Sequence, residues 1–303
     1  MSQTIKPRRS VLYLPGTNAR ALAKAKTIPA DAIILDLEDS VAPEKKENAR
    51  ALVSEALAEG GFGQREVVVR INGFDTPWAA GDIAAVVPAA PDAILLPKVS
   101  RSDDVRRMRS ALKAASARPH VAIWAMMETP LGILNAGAIA SAAAEDGPEL
   151  AAIVVGATDL AAATRTRQVP GRWTMLPWLS ICVAAGRAFD VSVIDGVYND
   201  FRDPEGFRAE CEQGRDLGMD GKAVIHPNQV ETCNEVFAPA AEEIAWARVV
   251  LSAFERKENL DKNVITIEGR MIERAQANQA RRTVEIARAI RTSDEAGRRA
   301  ERF

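Results

Sequence analysis

The sequence predicts an α/β protein whose core is a closed TIM (β/α)8 barrel, followed by a C-terminal helical extension. Eight short apolar runs alternate with helical segments between residues 10 and 227, and each return to a parallel strand needs such a crossover. The runs are apolar almost throughout, as in strands covered on both faces. Polar residues follow nearly every run, which favours the barrel over an open, doubly wound sheet with a single switch point.

The eight runs are short, rich in aliphatic residues and followed by helix-start signals. Thr17 or Asn18 is expected to cap the first helix, and Pro43 opens the second at a position where proline is tolerated. A glycine pair at 60–61 ends that second helix. The predicted strands span residues 10–16, 32–40, 66–72, 93–99, 121–129, 151–159, 191–197 and 221–227.

The chain after the eighth run has a different pattern. Helical segments continue around a break at Pro239, the polar stretch ENLDKN interrupts them, and Gly269 marks a turn before a long charged helix that runs to Phe303. We therefore divide the chain into a catalytic barrel domain at 1–258 and a helical arm at 259–303. We expect the arm to act as a lid or to contact a neighbouring subunit.

Composition excludes several classes of function. The net charge of −2 leaves no basic field for nucleic acid or an acidic membrane. No stretch reaches the roughly 18 apolar residues of a membrane span, and the N-terminus lacks the apolar core of a secretory signal. The three cysteines, Cys182, Cys211 and Cys233, are scattered, which indicates reduced thiols. We expect a cytoplasmic protein that acts on a small molecule.

Polar side chains at the carboxyl ends of parallel strands meet on one rim of such a barrel, where catalytic sites form. Glu128 and Asp159 follow the fifth and sixth runs, and a pair of carboxylates with open coordination positions suits Mg²⁺. Arg70 adds a permanent positive charge with a fork of donors suited to a carboxylate or an enolate oxygen. The residues that we place on this rim are Glu38, Arg70, Lys98, Glu128, Asp159, Asp195 and His226.

Several of these residues also have a simpler explanation. Asp159 could be only a helix N-cap, because aspartate is common there. Arg70 could pair with Asp36 or Glu38 below the rim as a structural ion pair. Lys98 more simply supports the acidic residues than forms a Schiff base, since nearby carboxylates oppose the lowered pKa that a nucleophilic lysine needs.

The two histidines divide between the two ends of the predicted barrel. His226 directly follows the eighth run and could belong to the site or be a hydrogen-bonded packing residue. His120 precedes the fifth run, at the opposite end, where we expect a structural role.

Seven segments also carry a family resemblance. In chain order they are RSVLYLPGTN, ADAIILDLEDSVAPEKKENAR, VVVRIN, LLPKV, METPLGILN, VVGATDL and GKAVIHPNQ. This order resembles the HpcH/HpaI aldolase/citrate lyase family, in the citrate lyase beta-subunit-like branch with malyl-CoA and citramalyl-CoA lyases, from Arg9 to about Phe237. The resemblance implies a TIM barrel, dependence on Mg²⁺, a CoA thioester and an oxo acid as ligands, and homotrimers or homohexamers.

The resemblance also implies roles for single residues. Glu128 and Asp159 resemble the two Mg²⁺ ligands, and Arg70 resembles the arginine that contacts the carboxylate and thioester oxygens of the substrate. The acidic block that supports this arginine and the metal-bound waters matches Asp36, Glu38 and Asp39. The backbone that cradles the substrate carboxylate matches Gly156, Ala157 and Thr158. The region that receives CoA matches Pro15, Gly16, Arg20 and Lys24.

The C-terminal arm departs from the family pattern. Family lyases carry an aspartate in a GxMID motif that reaches the site of a neighbouring subunit as the acid/base, whereas this chain has GRMIE at 269–273, ending in Glu273. The proline that usually follows is absent, and Ala275 stands near that position. Glutamate keeps the carboxylate but adds a methylene, and a displacement of about an ångström can slow a reaction on the order of a hundredfold.

We therefore predict a Mg²⁺-dependent carbon–carbon lyase that cleaves a 3-hydroxy-acid CoA thioester, of the malyl-CoA or citramalyl-CoA type, to an oxo acid and an acyl-CoA. Arg70 would hold the developing oxyanion and Glu273 would exchange the proton at the α-carbon, with Asp36 and Glu38 beside them at the catalytic site. The first alternative is a malyl-CoA-type thioesterase, which follows from the altered arm. The others are a citrate lyase beta subunit acting on a carrier-protein thioester and a non-catalytic protein that binds CoA or an oxo acid.

Overall fold

The computed structural model describes residues 5–300 of the chain, with the side chains of residues 5–295. Arg8–Glu235 form one compact unit around a closed barrel of eight parallel strands in sequence order. The first strand pairs with both the second and the eighth, which excludes the open doubly wound sheet and confirms the predicted TIM barrel. The strands are β1 (Ser10–Pro15), β2 (Ala32–Asp36), β3 (Glu66–Arg70), β4 (Ala93–Leu96), β5 (Ala122–Met127), β6 (Leu150–Val155), β7 (Ser192–Asp195) and β8 (Gly221–Val224).

Helices connect successive strands, as parallel pairing requires. Asn18 caps the first of them, since its side chain accepts a hydrogen bond from the backbone N–H of Ala21 at 3.0 Å. None of the helices in the described part of the chain is both long and apolar enough to cross a membrane. They are α1 (Ala19–Ala25), α2 (Lys46–Glu59), α3 (Ala79–Val86), α4 (Ser102–Ala114), α5 (Pro130–Leu134), α6 (Ala136–Ser141), α7 (Ala157–Thr164), α8 (Leu176–Ala188), α9 (Pro204–Leu217) and α10 (Val230–Val236).

The strands begin close to where the apolar runs begin, but they end earlier than predicted. The sixth run predicts a strand that reaches Asp159, whereas β6 ends at Val155. Gly156 leaves the strand conformation and starts α7, so Asp159 lies in the first turn of that helix. The polar residues that follow each apolar run therefore belong mostly to loops and helix starts on the rim, where strand pairing has already ended.

Alternate residues of each strand point into the barrel, and their side chains fill it. On four strands, the residue two positions after an inner-core residue also points inward and lies at the carboxyl end of the barrel. These residues are Tyr13, Asp36, Arg70 and Met126. Strand register therefore decides which side chains face the site. The inner core is mainly aliphatic with one large aromatic residue, and it includes Val11, Ile34, Val68, Leu95, Trp124, Val154, Ile194 and Ala223.

The C-terminal residues from Val236 belong to a second compact unit. Its apolar cluster includes Val250, Ile265 and Ala277, one from each of its main elements. Glu268 and Gly269 have positive φ angles of 49° and 76°, as a tight two-residue hairpin turn requires. The elements of this unit are α11 (Ala241–Phe254), the antiparallel strands β9 (Val264–Ile267) and β10 (Arg270–Glu273), and α12 (Arg274–Ala300).

Two features of the C-terminal unit differ from the sequence prediction. The predicted domain boundary follows residue 258, at the polar stretch ENLDKN, but α11 packs against α12 and groups with the arm in the structure. The polar stretch is thus a loop within the arm. The hairpin is the second difference, because its strands have four residues each and are too short for their periodicity to stand out.

Candidate active site

A cavity of about 430 Å³ opens at the carboxyl end of the barrel. Its wall brings together predicted site residues that lie up to 144 positions apart, from Pro15 to Asp159. The sequence did not single out other wall residues, because their hydropathy resembles that of the core; they include Tyr13, Met126, Val155, Val197 and Ile225. The predicted residues on the wall are Pro15, Asp36, Asp39, Arg70, Glu128, Gly156, Ala157, Thr158 and Asp159.

Arg70 is fixed on the cavity wall by a bidentate ion pair. Its Nε and Nη2 donate to the two carboxylate oxygens of Asp36 at 2.6 and 2.7 Å, and its Nη1 lies 3.0 Å from Glu38 Oε2. Burial alone would lower the pKa of Arg70 and raise that of Asp36, but their mutual hydrogen bonds and charges reverse both directions. The structural ion pair that the sequence left open as an alternative is therefore present between Arg70 and Asp36. It holds the charged guanidinium at the cavity wall.

Lys98 connects two carboxylates of the site. Its Nζ donates to Glu38 Oε1 at 2.9 Å, while its backbone N–H donates to Glu128 Oε1 at 2.7 Å. The hydrogen bond to Glu38 raises the pKa of the ammonium group, so it stays charged and does not suit Schiff-base chemistry. Lys98 also has a φ of 55°, a left-handed conformation that costs a lysine energy and persists only where surrounding contacts impose it.

A second lysine, which no sequence pattern indicated, holds the backbone of the acidic block. Lys46 Nζ donates to the carbonyl oxygens of Leu37 and Glu38, each at 2.8 Å, and to Asn72 Oδ1 at 2.7 Å. Asn72 in turn donates to Asp82 Oδ2 at 2.6 Å. Lys46 is buried although it lies in a highly charged stretch, and hydropathy would place it on the surface.

Glu128 is buried on the cavity wall with one carboxylate oxygen uncommitted. Oε1 accepts the hydrogen bond from Lys98, whereas Oε2 has no hydrogen-bond partner among the described residues. Gly156 makes room for this side chain, because a Cβ there would lie 2.5 Å from both Glu128 Cβ and Oε2. Burial raises the pKa of the Glu128 carboxyl to about 8, and the negative charges of Glu38 and Asp159 add to the effect.

Asp159 provides a second carboxylate on the wall and does not cap its helix. The N-cap of α7 is Gly156, which has no side chain to accept a hydrogen bond from the first turn. After Glu128, the capping role falls to Thr129, whose Oγ1 accepts from the backbone N–H of Gly132 at 2.9 Å. The N-cap interpretation of Asp159 is therefore wrong. Neither Glu128 nor Asp159 caps the helix that follows it.

This pair of carboxylates fits a divalent cation. A buried carboxylate oxygen without a partner, close to other negative charges, makes ionisation of Glu128 unfavourable, and a bound cation would remove that penalty. Within the described residues, no group of three or more histidine, cysteine, aspartate or glutamate side chains could hold a metal. Two carboxylates are sufficient for Mg²⁺, which usually keeps several water ligands.

Asp195, which the sequence places on the rim, lies outside the site. Ile194 belongs to the inner core, so the next residue points outward from the barrel. Asp195 pairs there with Arg172 Nη1 at 2.6 Å and with Lys222 Nζ at 3.0 Å. Burial alone would raise the pKa of Asp195, but the two cations outweigh it and lower that pKa. The group is a buried ion cluster between the barrel and α9, where Glu210 also pairs with Lys222.

His226 makes a packing contact between two loops. The ring of His226 stacks on Phe201 with centroids 4.9 Å apart, and its Nδ1 lies 2.7 Å from Asn228 Oδ1. It thereby joins the loops that follow β7 and β8, while its neighbour Ile225 lines the cavity. His120 is exposed before β5.

Only one of the residues that the resemblance assigns to CoA reaches the cavity wall. Pro15 lines it, whereas a Cβ on Gly16 would come within 2.7 Å of the Asp36 carbonyl oxygen, so Gly16 permits close packing on β2. Arg20 and Lys24 are exposed on α1. Their contact with CoA stays a prediction.

Glu273 belongs to the C-terminal unit and is exposed at the end of β10. Its cross-strand neighbour is Val264, and Met271, two residues before it on the same face, is 72% exposed. The part of Glu273 in catalysis stays a prediction.

The fold and the site together define a class of (β/α)8 barrel proteins with a buried arginine and two carboxylates on the wall of a cavity at the carboxyl end of the barrel. The chain belongs to the HpcH/HpaI aldolase/citrate lyase family, whose sequence model matches residues 9–227. The resemblance in the seven sequence segments is thereby confirmed.

Relatives with different reactions align over nearly the whole chain. A (3S)-malyl-CoA thioesterase of Cereibacter sphaeroides is 45% identical over 290 residues, which cover 96% of this chain and 98% of the relative. A citrate lyase subunit beta of Leuconostoc mesenteroides is 35% identical, with 96% of each chain covered. The mitochondrial citramalyl-CoA lyase of Homo sapiens is 32% identical over 94% of this chain and 87% of the relative. The C-terminal arm is thus part of the similarity.

A solved structure supports the same family at the level of the fold. The CitE protein of Mycobacterium tuberculosis, in complex with magnesium, acetoacetate and coenzyme A, is 29% identical to this chain. It covers 93% of this chain and 97% of its own length, with a TM-score of 0.72.

Proposed function

We propose that this protein is a Mg²⁺-dependent enzyme that acts on the CoA thioester of a 3-hydroxy dicarboxylic acid, and that its reaction is hydrolysis of a malyl-CoA-type thioester. The observation that carries the proposal is the uncommitted, buried Oε2 of Glu128, on the same cavity wall as Asp159 and Arg70. Hydrolysis takes first place over carbon–carbon cleavage because the 45% identity to a malyl-CoA thioesterase extends over 96% of the chain.

Different residues of the cavity wall would bind the metal and stabilise the negative charge of the substrate. Glu128 and Asp159 would hold Mg²⁺, which when bound supplies a Lewis acid that attracts oxygen atoms of the substrate. Arg70 presents a permanent positive charge to the thioester oxygen, which gains negative charge as water attacks the adjacent carbon. Asp36 keeps the guanidinium in one orientation, so little reorganisation is needed when that charge develops.

The start of α7 would bind the carboxylate of the acyl group. The backbone N–H groups of its first turn have no side-chain cap, and the N-terminus of a helix attracts anions. A carboxylate held there would lie beside Asp159 and the metal. The residues concerned are Gly156, Ala157 and Thr158, which all line the cavity.

Cleavage of the bond between the α-carbon and the hydroxyl-bearing carbon is a second candidate, giving an oxo acid and an acyl-CoA. The identities of 35% to a citrate lyase subunit beta and 32% to a citramalyl-CoA lyase favour it. Arg70, Glu128 and Asp159 serve this reaction equally well, because it also places negative charge on the thioester oxygen. It further needs a proton donor at the α-carbon, and we assign that role to Glu273 of a neighbouring protomer in a homotrimer or homohexamer.

Product analysis separates these reactions. Purified protein is incubated with malyl-CoA or citramalyl-CoA in the presence of Mg²⁺ or EDTA, and the thioesters, free CoA and organic acids are quantified by chromatography. We expect Mg²⁺-dependent formation of free CoA and malate in equal amounts, without acetyl-CoA. The EDTA sample should be inactive, since the carboxylate pair then has no cation.

Other outcomes would contradict hydrolysis in distinct ways. Glyoxylate or pyruvate formed together with acetyl-CoA would establish the lyase reaction instead. A lack of turnover with both thioesters would contradict the proposal and favour either a citrate lyase beta subunit that needs a carrier-protein thioester or a protein that only binds CoA or an oxo acid.

A further inference from the structure

Two hydrogen-bond donors on the cavity wall converge on one sulfur atom. The hydroxyl of Tyr13 lies 3.9 Å from Met126 Sδ, and Nη1 of Arg70 lies 3.7 Å from the same atom. A thioether sulfur is a weak acceptor. Within the described part of the chain, the Tyr13 hydroxyl has no oxygen or nitrogen partner. Two strong donors on the cavity wall thus point at the same weakly accepting sulfur atom.

The packing of Tyr13 holds its hydroxyl in this position. The ring lies in the barrel interior beneath Arg70, whose guanidinium carbon is 5.1 Å from the ring centroid. Such a contact between a cation and an aromatic face is attractive, especially away from water. Burial raises the pKa of the Tyr13 phenol, so the group remains a protonated donor. Arg70 Nη1 lies 3.0 Å from Glu38 Oε2 as an ion pair without a hydrogen bond, and its hydrogen bond is directed at Met126 Sδ.

We propose that Tyr13 Oη and Arg70 Nη1 together form the donor pair for the thioester oxygen of the substrate, where they stabilise the negative charge that develops during the reaction. This inference rests on the proposed function. During hydrolysis the oxygen of water bonds to the thioester carbon, and the carbonyl π pair moves onto the thioester oxygen. When that pair returns, the bond to the CoA sulfur breaks. The sulfur leaves with one proton of the water, and the other proton stays with the acid product. Both donors would face the oxygen at the moment it is negative.

A purely structural role for the hydroxyl would be an anchor to Met126. Tyr13→Phe separates the two roles, because it keeps the ring beneath Arg70 and removes only the hydroxyl. The chain offers a matched control, since its second tyrosine, Tyr198, donates instead to Asp203 Oδ2 at 2.6 Å. Tyr198→Phe makes the same chemical change in the loop after β7.

The kinetic test uses malyl-CoA with Mg²⁺. We expect Tyr13→Phe to lower kcat by on the order of 100-fold with little change in KM, as for the loss of one oxyanion-hole donor. Tyr198→Phe should stay within about threefold of the wild type. Because Tyr13→Phe keeps the ring contact with Arg70, thermal unfolding should show that this variant is folded.

A spectroscopic test reports on the hydroxyl without turnover. Protein labelled with [ζ-¹³C]tyrosine has two signals, and Tyr198→Phe assigns the one from Tyr13. The probe is the dethia analogue of malyl-CoA, in which a methylene replaces the thioester sulfur, added with Mg²⁺. We expect the Tyr13 signal to shift on binding and the Tyr198 signal to stay in place.

Two experimental outcomes separate an error in the donor pair from an error in the proposed function. If the wild type hydrolyses malyl-CoA, Tyr13→Phe has the same kcat, and the Tyr13 signal of the wild type does not move on binding of the analogue, then the donor pair is wrong and the proposed function stands. If the wild type neither turns over malyl-CoA nor binds the analogue in calorimetry, the proposed function is wrong and the donor pair falls with it.

Discussion

Glu128 shows how the choice of partner for a single atom prepares the site. The backbone N–H of Lys98 occupies Oε1, so only Oε2 remains for a cation. Gly156 leaves the space in which this carboxylate lies. The proposed metal site of two carboxylates therefore depends on a lysine in a left-handed conformation and on a glycine, neither of which would itself bind the metal.

A Cβ at Gly156 should abolish the site. Gly156→Ala would place its methyl group 2.5 Å from Glu128 Oε2, and the carboxylate would have to move. We expect Mg²⁺-dependent turnover to fall at least on the order of a hundredfold, because small displacements of catalytic groups have effects of that size.

Gly137→Ala is the matched control for this substitution. Nothing lies within 4 Å of a Cβ at Gly137, which is in α6, and alanine favours a helix over glycine by about 1 kcal/mol. Turnover is measured for both variants after circular dichroism has shown that they are folded. Full activity of Gly156→Ala would contradict the placement of Glu128.

At the scale of elements, the loop after β2 is held by a clamp from α2. Lys46 donates to two consecutive carbonyl oxygens of this loop and to Asn72. The clamp fixes the backbone of Glu38, which in turn contacts Arg70 and Lys98. Lys46 does not line the cavity, but through Glu38 it helps to position Arg70, which does.

Removal of the Lys46 ammonium should cost stability. Lys46→Met keeps most of the side-chain volume but removes three hydrogen bonds. The carbonyl oxygens of Leu37 and Glu38 keep other donors, whereas Asn72 Oδ1 loses the donor that it has in the structure. We expect the free energy of unfolding to fall by about 1–3 kcal/mol, since that is roughly the cost of one buried polar group left unsatisfied. Denaturant unfolding measures the loss.

The neighbouring lysine provides the control. Lys45 is exposed, and Lys45→Met should change the free energy of unfolding by less than about 0.5 kcal/mol. Equal stability of the two variants would mean that the three hydrogen bonds of Lys46 add nothing to the fold.

The ion cluster between the barrel and α9 predicts a pH dependence of stability. The folded-state pKa of Asp195 is lowered below its unfolded value of about 3.9, so the ionised group stabilises the protein above that pH. The contribution is lost as pH falls through the folded-state pKa. Asp195→Asn should cost on the order of 3 kcal/mol at pH 7, because Arg172 and Lys222 lose a fully buried carboxylate and keep only Glu210 as an acidic partner.

Unfolding of the wild type and Asp195→Asn at several pH values tests this sign. The difference between their free energies of unfolding should stay constant from pH 7 to pH 5 and shrink below about pH 4. A difference that already shrinks between pH 7 and pH 5 would mean that folding raises the pKa of Asp195.

At the scale of the whole molecule, the barrel and the C-terminal unit carry different parts of the proposed chemistry. The cavity with Glu128 and Asp159 lies entirely within Arg8–Glu235, whereas Glu273 belongs to the other unit, which combines the chain from Val236 onward with the residues before Arg8. If Glu273 acts on the cavity of a neighbouring protomer, the two parts can be supplied by different chains.

Subunit mixing tests this arrangement. Asp159→Asn removes a proposed metal ligand, and Glu273→Gln removes the acid that we assign to carbon–carbon cleavage, so each variant alone should have strongly reduced lyase activity. Co-expressed as hybrids, they should recover about a quarter or more of wild-type activity, because some interfaces combine an intact cavity with an intact Glu273. Activity equal to the mean of the two parents would contradict action between protomers.

The barrel could be predicted from sequence because burial on both faces leaves long apolar runs, and crossovers separate them. Arg70, Glu128 and Asp159 could be predicted for the same reason, since each is a charge at the end of such a run. Asp195 could not be excluded, because a shift of one residue in the strand decides between the inside and the outside of the barrel. Tyr13 and Lys46 carry no signal, since their roles depend on partners distant in the sequence.

The most direct test of the central claim is the binding of a divalent cation to the two carboxylates. Mn²⁺ is titrated into the wild type, Glu128→Gln and Asp159→Asn, the electron paramagnetic resonance signal of the free ion is followed, and Mg²⁺ is added as competitor. We predict one site per chain in the wild type, displaced by Mg²⁺, and an affinity at least about tenfold weaker in each variant, because each removes one of only two protein ligands. Unchanged affinity in Glu128→Gln would contradict the account, since the metal would then lie elsewhere.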